Sequence, residues 1–170
     1  IVTGPGGIDT FDNNGTPLET TGIEFTATMQ LTDALSGTFD WTHTESEFED
    51  GSDQASNIPE DTAKVFVDWA PQNLPFGGGV SATWVGDLAG NAPSGLGRVE
   101  YGDYFLVDLN ARWYLDQDRK HRLGLRVENL MDEEYFSSLG RGFVDITGTP
   151  YLANNLGRGQ SFHVNYTYDF

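Results

Sequence analysis

An all-β fold of about seven long antiparallel strands that cross a membrane is predicted by three features of the 170-residue sequence. Apolar residues recur at every second position in seven separate stretches, the gaps between the stretches alternate short and long, and all four tryptophans fall on the apolar parity. Successive side chains on a strand point to opposite faces, so each stretch has one greasy and one wet face.

In chain order, Ile23, Phe25, Ala27, Met29 and Leu31 alternate with Glu24, Thr26, Thr28 and Gln30. Leu35, Phe39 and Trp41 alternate with Ser36, Thr38, Asp40 and Thr42. Ala63, Val65, Val67 and Trp69 alternate with Lys64 and Asp68, with Phe66 out of phase. Val80, Ala82 and Trp84 alternate with Ser81, Thr83 and Asp87, interrupted by Val85. Phe105, Val107, Leu109, Ala111 and Trp113 alternate with Asp108, Asn110 and Arg112, Leu106 being the misfit. Leu123, Leu125 and Val127 alternate with Arg122, Arg126 and Glu128. Last, Phe162, Val164, Tyr166, Tyr168 and Phe170 alternate with Ser161, His163, Asn165, Thr167 and Asp169.

Strands of roughly 9–11 residues have the length that a tilted strand needs to span a bilayer. A soluble sandwich or lipocalin-like barrel would also alternate, and three features separate the readings. Only Thr32-Asp33-Ala34 joins the first two strands, residues 71–75 the third and fourth, and 116–120 the fifth and sixth. The other gaps run over about 46–60, 88–102 and 131–158. Short turns at one end and long loops at the other are the outer-membrane barrel pattern. Trp69 and Trp113 precede short turns whereas Trp41 and Trp84 precede long loops, which gives each interface an aromatic girdle. No charge holds a mid-strand position on the apolar face, where a basic residue would cost about 2–4 kcal/mol at the bilayer midplane. The other face carries Glu24, Asp40, Lys64, Asp68, Asp108, Arg112, Arg122, Arg126 and Glu128, a set that suits a wet lumen better than a dry core.

Composition removes other classes. Nine Lys+Arg against 26 Asp+Glu, a net charge of −17, exclude a nucleic-acid-binding module, which needs clustered cations. The absence of Cys excludes a disulfide scaffold and a thiol nucleophile. No apolar run of about 18 residues is present for a transmembrane helix. Residues 1–20, with Gly4-Pro5-Gly6-Gly7 and Asp12-Asn13-Asn14-Gly15, read as the remnant of an extracellular loop. Residues 21–170 then form the C-terminal strands of a larger barrel, because single-chain bacterial barrels have even strand numbers.

Several segments resemble the C-terminal end of TonB-dependent outer-membrane receptors. They are TGIEFTATMQL (21–31), IPEDTAKVFVDW (58–69), YFLVDLNARWYL (104–115), LGLRVENLMDEEYF (123–136) with its Asn-Leu-x-Asp-x-x-Tyr turn, and the closing GRGQSFHVNYTYDF (157–170). Met131 stands where the family commonly has Phe. The resemblance implies an antiparallel transmembrane β-barrel segment with short periplasmic turns and long extracellular loops, in the outer membrane of a Gram-negative bacterium. It implies TonB-energised uptake of a scarce nutrient such as a ferric siderophore, haem, cobalamin or glycan, by a transporter and not an enzyme. The implied partners are outer-membrane lipid and lipopolysaccharide, the barrel-assembly machinery, a small-molecule ligand, and TonB through an N-terminal region with plug and TonB box. The alternative is a small passive or structural outer-membrane barrel.

Candidate sites follow. Phe162, Val164, Tyr166, Tyr168 and Phe170 resemble the C-terminal signal read by the assembly machinery, with strand addition at an open edge as the physical route. Arg98, Tyr101, Tyr135, Phe136, Arg141, Phe143, Tyr151 and Arg158 are loop residues placed to contact ligand, since loops carry binding groups and Arg grips carboxylates. The acidic run Glu45, Glu47, Glu49, Asp50 and Asp53 reads as a solvated loop. The inward charges Asp108, Arg112, Arg122, Arg126 and Glu128 are expected to pair across the fifth and sixth strands or to face the plug. His43, His121 and His163 fall on three strands, so neither metal, cofactor nor Ser–His–Asp chemistry is expected. Gly77-Gly78-Gly79 reads as a strand entry.

Overall fold

In the computed structural model, the described residues are 2–3, 9–10, 17–49, 58–92 and 97–170, with backbone alone described at 2–3, 9–10, 90–92, 97–98, 139–144 and 150–153. They form strands β1 (Val2–Thr3), β2 (Asp9–Thr10), β3 (Leu18–Thr32), β4 (Leu35–Phe48), β5 (Asp61–Trp69) and β6 (Phe76–Ala92). The chain continues through β7 (Gly97–Tyr114), β8 (His121–Glu128), β9 (Phe136–Val144), β10 (Pro150–Leu156) and β11 (Ser161–Tyr168). No described residue is helical. A seven-stranded sheet has the order β11-β8-β7-β6-β5-β4-β3, and β1-β2 and β10-β9 form two-stranded sheets.

The registers turn seven amphipathic stretches into two continuous faces. Met29, Gly37, Val67, Val80, Leu109, Val127 and Phe162 are successive partners and make one apolar row across all seven strands. One residue along, Gln30, Ser36, Asp68, Gly79, Asn110, Arg126 and His163 make the neighbouring row on the opposite face, without one apolar side chain. A slip of one residue in any strand would exchange the two faces, so the pattern fixes the register. Nothing among the described residues covers the apolar face. Phe25, Trp113 and Val164 are 52 %, 55 % and 76 % exposed, and among the described residues Leu88 and Val127 are the buried hydrophobic side chains.

The structure departs from the sequence reading at the long-loop end. β6 and β7 run on through most of the expected 88–102 loop, leaving only residues 93–96 outside the described strands. Within the expected 131–158 loop, β9 and β10 form an antiparallel hairpin. β3 begins at Leu18, and β1 pairs with β2, inside the region read as loop remnant. The segments 4–7 and 12–15 lie outside the described residues. These extensions carry no alternation because they need no greasy face: the pattern marks where a strand meets two solvents, not how far it extends.

Gly77-Gly78-Gly79 is the strand entry expected, at the start of β6 and ladder-paired on both sides. A Cβ on Gly77 would sit 3.1 Å from the Arg112 Nε and 2.6 Å from the Trp69 carbonyl. That space is used. The Arg112 guanidinium of β7 crosses over β6 and grips Asp68 of β5 at both carboxylate oxygens, Nη1–Oδ1 2.7 Å and Nη2–Oδ2 2.8 Å. Arg112 therefore pairs two strands away, not with the β8 residues expected for it.

Replacing Arg112 by Ala removes this bidentate pair and should destabilise the folded sheet by about 1.5–3 kcal/mol, the range for hydrogen bonds to charged groups. A lowered temperature for loss of the compact band on a heat-modifiability gel is the readout. Gly77→Val should behave similarly by pushing the guanidinium aside, whereas Arg112→Lys should recover only part of the loss.

Candidate functional site at the long-loop end

Where β8 leaves the sheet, a turn organised by Asn129 sets the geometry. Asn129 is 4 % exposed and has φ +51°, a conformation that Asn tolerates better than most residues. Its backbone N–H donates to Asp108 Oδ1 at 2.9 Å. Its side-chain Nδ2 donates to the carbonyls of Glu133 at 2.9 Å and Arg158 at 3.2 Å, and its Oδ1 accepts the Glu133 N–H at 2.9 Å. Asp132, also left-handed at φ +53°, accepts the Gln160 N–H at 3.0 Å, and Gln160 Nε2 donates to the Leu130 carbonyl at 2.8 Å. Tyr135 closes the turn: its carbonyl accepts the Gly157 N–H at 2.8 Å and its ring lies 4.3 Å from that of Tyr104. A side chain at Gly157 would collide with the Tyr135 ring. The Asn-Leu-x-Asp-x-x-Tyr segment is thus a clamp that ties the exit of β8 to the entry of β11.

Beside the clamp, on the polar face, Glu128 gathers a charged group. Arg126 Nη2 lies 3.1 Å from its Oε1, while Arg158 Nη1 at 3.3 Å and Ser161 Oγ at 3.2 Å donate to its Oε2. His163 Nε2 stands 3.5 Å from the same Oε2 and 3.3 Å from Ser161 Oγ. Arg126 also lies 3.9 Å from Asp108, the cross-strand pairing expected of these residues. Asp169 is at the opposite end, its N–H donating to the Lys120 carbonyl. With one ring nitrogen serving both Ser161 and Glu128, the group is a salt-bridge network and not a relay that could activate the hydroxyl.

Of the expected ligand contacts, the structure gathers some. The Arg158 carbonyl accepts from Asn129, the Tyr135 carbonyl accepts from Gly157 next to Arg158, and Phe136 opens β9 half-exposed. Tyr101 lies on β7 opposite Leu88, beyond a kink at Gly102 and Asp103, where φ is +101° and +49°. Arg98, Arg141, Phe143 and Tyr151 lie on β7, β9 and β10, with side chains outside the described residues. Tyr104 was missed by sequence reasoning because its position inside a membrane-type stretch hides its ring contact. Of the acidic run, Glu45 lies 3.3 Å from His43, Glu47 is the register partner of Glu19, and Asp50 and Asp53 fall outside the described residues.

His43 also approaches Asp61 at 3.1 Å, and the Trp41 indole N–H donates to the same carboxylate at 3.2 Å. The Trp84 indole N–H donates to Asp103 at 3.1 Å. These two tryptophans stand in one row, Trp41–Ala63–Trp84–Phe105, with carboxylates just beyond it. At the short-turn end His121 Nδ1 is 2.6 Å from the Tyr166 hydroxyl and its ring stacks 4.7 Å from Tyr168. Phe162, Val164, Tyr166 and Tyr168 lie on β11, an edge strand paired only with β8, and Phe170 follows it, fully exposed with its ring 4.9 Å from Tyr168.

A sheet with an aromatic-rimmed apolar face and a charged opposite face defines the wall of a transmembrane β-barrel. A family model described as TonB dependent receptor-like, beta-barrel, matches residues 1–130, and the chain belongs to that family. Among solved structures, the pyoverdine outer membrane receptor FpvA from Pseudomonas aeruginosa bound to pyoverdine superposes with a TM-score of 0.76 at 20 % identity, over 92 % of this chain and 22 % of that one. FpvAI in complex with pyocin S2 gives 0.75 at 20 % identity, over 90 % and 19 %. The ferric yersiniabactin uptake receptor FyuA from Yersinia pestis gives 0.69 at 18 % identity, over 90 % and 24 %. The chain thus spans about a fifth of the length of these structures, and the likeness is one of fold.

Asn129→Ala should cost about 2–3 kcal/mol, from lost hydrogen bonds to buried groups and the left-handed backbone. Asn129→Gly, which keeps the backbone but not the bonds, should cost about 1 kcal/mol less. Denaturation of the two variants in detergent measures the difference.

The β9–β10 turn gives a pH prediction. Asp145 Oδ1 accepts from the Thr147 hydroxyl at 2.7 Å, and from the Thr147 and Thr149 N–H groups at 2.8 Å each. These bonds, the hydroxyl's first, hold the Asp145 carboxyl below its ordinary value. A depressed carboxyl contributes stability that is present above the unfolded value and lost as pH falls through the folded one. Protection of the Thr147 and Thr149 amides, relative to their intrinsic exchange, should therefore hold from neutral pH through the ordinary carboxylate range and be lost as pH falls through the depressed value. Asp145→Asn should flatten that dependence.

Proposed function

We propose that this chain is the C-terminal wall of an outer-membrane receptor for TonB-energised uptake of a scarce nutrient, with a ferric siderophore as the ligand class. Residues 21–170 supply seven barrel strands, the apolar face meets lipid and lipopolysaccharide, and the polar face lines a lumen occupied by an N-terminal plug. The observation that carries the reading is the pair of unbroken rows, one apolar and one polar, in a chain of the TonB-dependent receptor family. Similar structures, among them receptors for pyoverdine and for ferric yersiniabactin, support iron chelates as the ligand class. The long-loop end, with Tyr101, Tyr135, Phe136 and Arg158 beside the Asn129 clamp, is the ligand-facing end. TonB acts through the N-terminal region, and the barrel-assembly machinery reads the β11 aromatics.

Two measurements test this. Cells expressing the full-length protein under iron limitation should take up a radiolabelled ferric siderophore from a chemically varied panel, and lose uptake when TonB is deleted. Growth and uptake unchanged by the receptor across the panel would remove the siderophore reading. Separately, deleting Phe170 should reduce heat-modifiable protein in the outer-membrane fraction by about tenfold, if the terminal ring contributes the roughly 1.4 kcal/mol that such a factor represents. Phe136→Ala, away from the edge strand, should leave assembly unchanged.

A further inference from the structure

Two hollows at the short-turn end share a wall. On the apolar face, a trough of about 510 Å³ is lined among others by Phe76, Ala111, Trp113, Leu125 and Val164. Beside Ala111, its register partner Gly78 admits no side chain, since a Cβ there would sit 2.5 Å from the Asn110 carbonyl. The second hollow, of about 500 Å³, opens between the turns 71–75 and 116–120 and is lined among others by Gln72, Asn73, Trp113, Asp116, Gln117 and Arg119. Trp113 borders both, so one indole stands where an oily space joins a polar one. The polar hollow is rigid and short of partners. Arg119 ties one turn to the other: its Nη2 donates to the carbonyls of Pro71, Gln72 and Leu74 at 3.1, 2.7 and 3.2 Å, and its guanidinium lies 4.9 Å from the Tyr114 ring centre. Those carbonyls leave its charge unneutralised, and its Nε and Nη1 have no partner among the described residues. Asp116 accepts the His121 and Lys120 N–H groups at 2.9 and 3.2 Å but meets no cationic side chain among the described residues. The carboxamides of Gln72, Asn73 and Gln117 likewise bond to none of the described residues. The indole N–H groups of Trp41 and Trp84 donate to carboxylates, whereas that of Trp113 has no acceptor among the described residues.

We infer that the two hollows together seat one phospholipid carrying a phosphate and a primary ammonium, with an acyl chain in the trough and the headgroup between the turns. The inference rests on the proposed reading, in which the apolar face meets lipid and the short turns lie at its periplasmic edge. Charge complementarity carries it. A headgroup with one anion and one cation matches a hollow lined by one guanidinium and one carboxylate, each without an ionic partner. The Arg119 fork suits the phosphate oxygens, and the Tyr114 ring beneath it limits its rotation. Asp116 and the carboxamide oxygens then accept from the ammonium. At the junction, the Trp113 N–H is left for an ester carbonyl, the level at which indoles settle in a bilayer. Inorganic phosphate could occupy the Arg119 end but would leave the trough bare. A glycan could stack on Trp113, yet it has no part that fills an apolar channel.

Native mass spectrometry tests this on the full-length receptor, purified in mild detergent and titrated with phosphatidylethanolamine or phosphatidylglycerol of equal chain length. One phosphatidylethanolamine should stay bound at collision energies that strip the others. Phosphatidylglycerol should be retained about threefold to fivefold less, the factor that one partly exposed charge contact represents. Ala111→Leu, which fills the trough, should lower retention of both lipids about tenfold, as the loss of roughly two methylenes of apolar contact would. Asp116→Asn, which keeps an acceptor for the His121 N–H, should abolish the preference between the two heads. Ala63→Leu, the same change as at Ala111 but at the long-loop end of the face, should alter neither quantity. Equal retention of the two lipids by the unaltered receptor overturns the inference, as does a preference that survives Asp116→Asn. Retention indifferent to Ala111→Leu, or abolished by inorganic phosphate alone, overturns it in favour of a small-anion site. All of these outcomes leave the lipid-facing wall in place. A receptor that stays dispersed and folded once detergent is withdrawn overturns both this inference and the reading on which it rests.

Discussion

Backbone pairing under the two-solvent constraint governs everything else in this chain. A strand in hydrocarbon has no water to satisfy its N–H and C=O groups, so each strand must take both neighbours at full ladder. The registers of β4 through β8 do this on both sides, and those of β3 and β11 on one, without a shift except beside the β3–β4 turn. Once every strand is paired, period-two side-chain alternation forces a uniform greasy surface on one side and a uniform wet one on the other. The chain therefore needs scarcely any core, and its sparse Leu, Ile and Val are spent on a surface.

The wet face is organised by residues that reach past their immediate partners. Arg112 spans β6 to Asp68 because β6 presents glycine there. Asn129 gathers Asp108, Glu133 and Arg158 from three places in the chain. Around Glu128 and around Asp68 the face thus carries two clusters of fixed charge, one at each end. At the short turns, Asp116 receives the N–H groups of His121 and Lys120, which hold its carboxyl below the ordinary range and set the entry of β8.

The seven crossing strands were legible in the sequence because oil on one side and water on the other write a period of two into every one of them. Val67, Val80, Leu109 and Phe162 could be assigned to one face from parity alone, and the ladder aligns them. Extensions of β6 and β7, and the β9–β10 hairpin, left no such trace. Neither has an uninterrupted greasy face to present, so Ser137, Ser138 and Gly140 carry no alternation to read. The Asn129 clamp was half legible, as a motif whose Asn and Tyr were visible but whose reach to Arg158 and Gly157 depends on a return of nearly thirty residues. The Arg112–Asp68 bridge was illegible, since two residues on non-adjacent strands meet only once the register and the intervening glycine are known.

Among the described residues, two strands of the large sheet, β3 and β11, have a neighbour on one side only. Such a border offers a row of vacant donors and acceptors at the spacing of another strand, which is a template for pairing. The chain taken alone is accordingly an unfinished tile. In plain buffer its flanks and its oily side would both recruit further copies, giving stacked ribbons in place of discrete particles. Amphiphile or adjoining wall is therefore as much a condition of its solitary, ordered state as any contact within it.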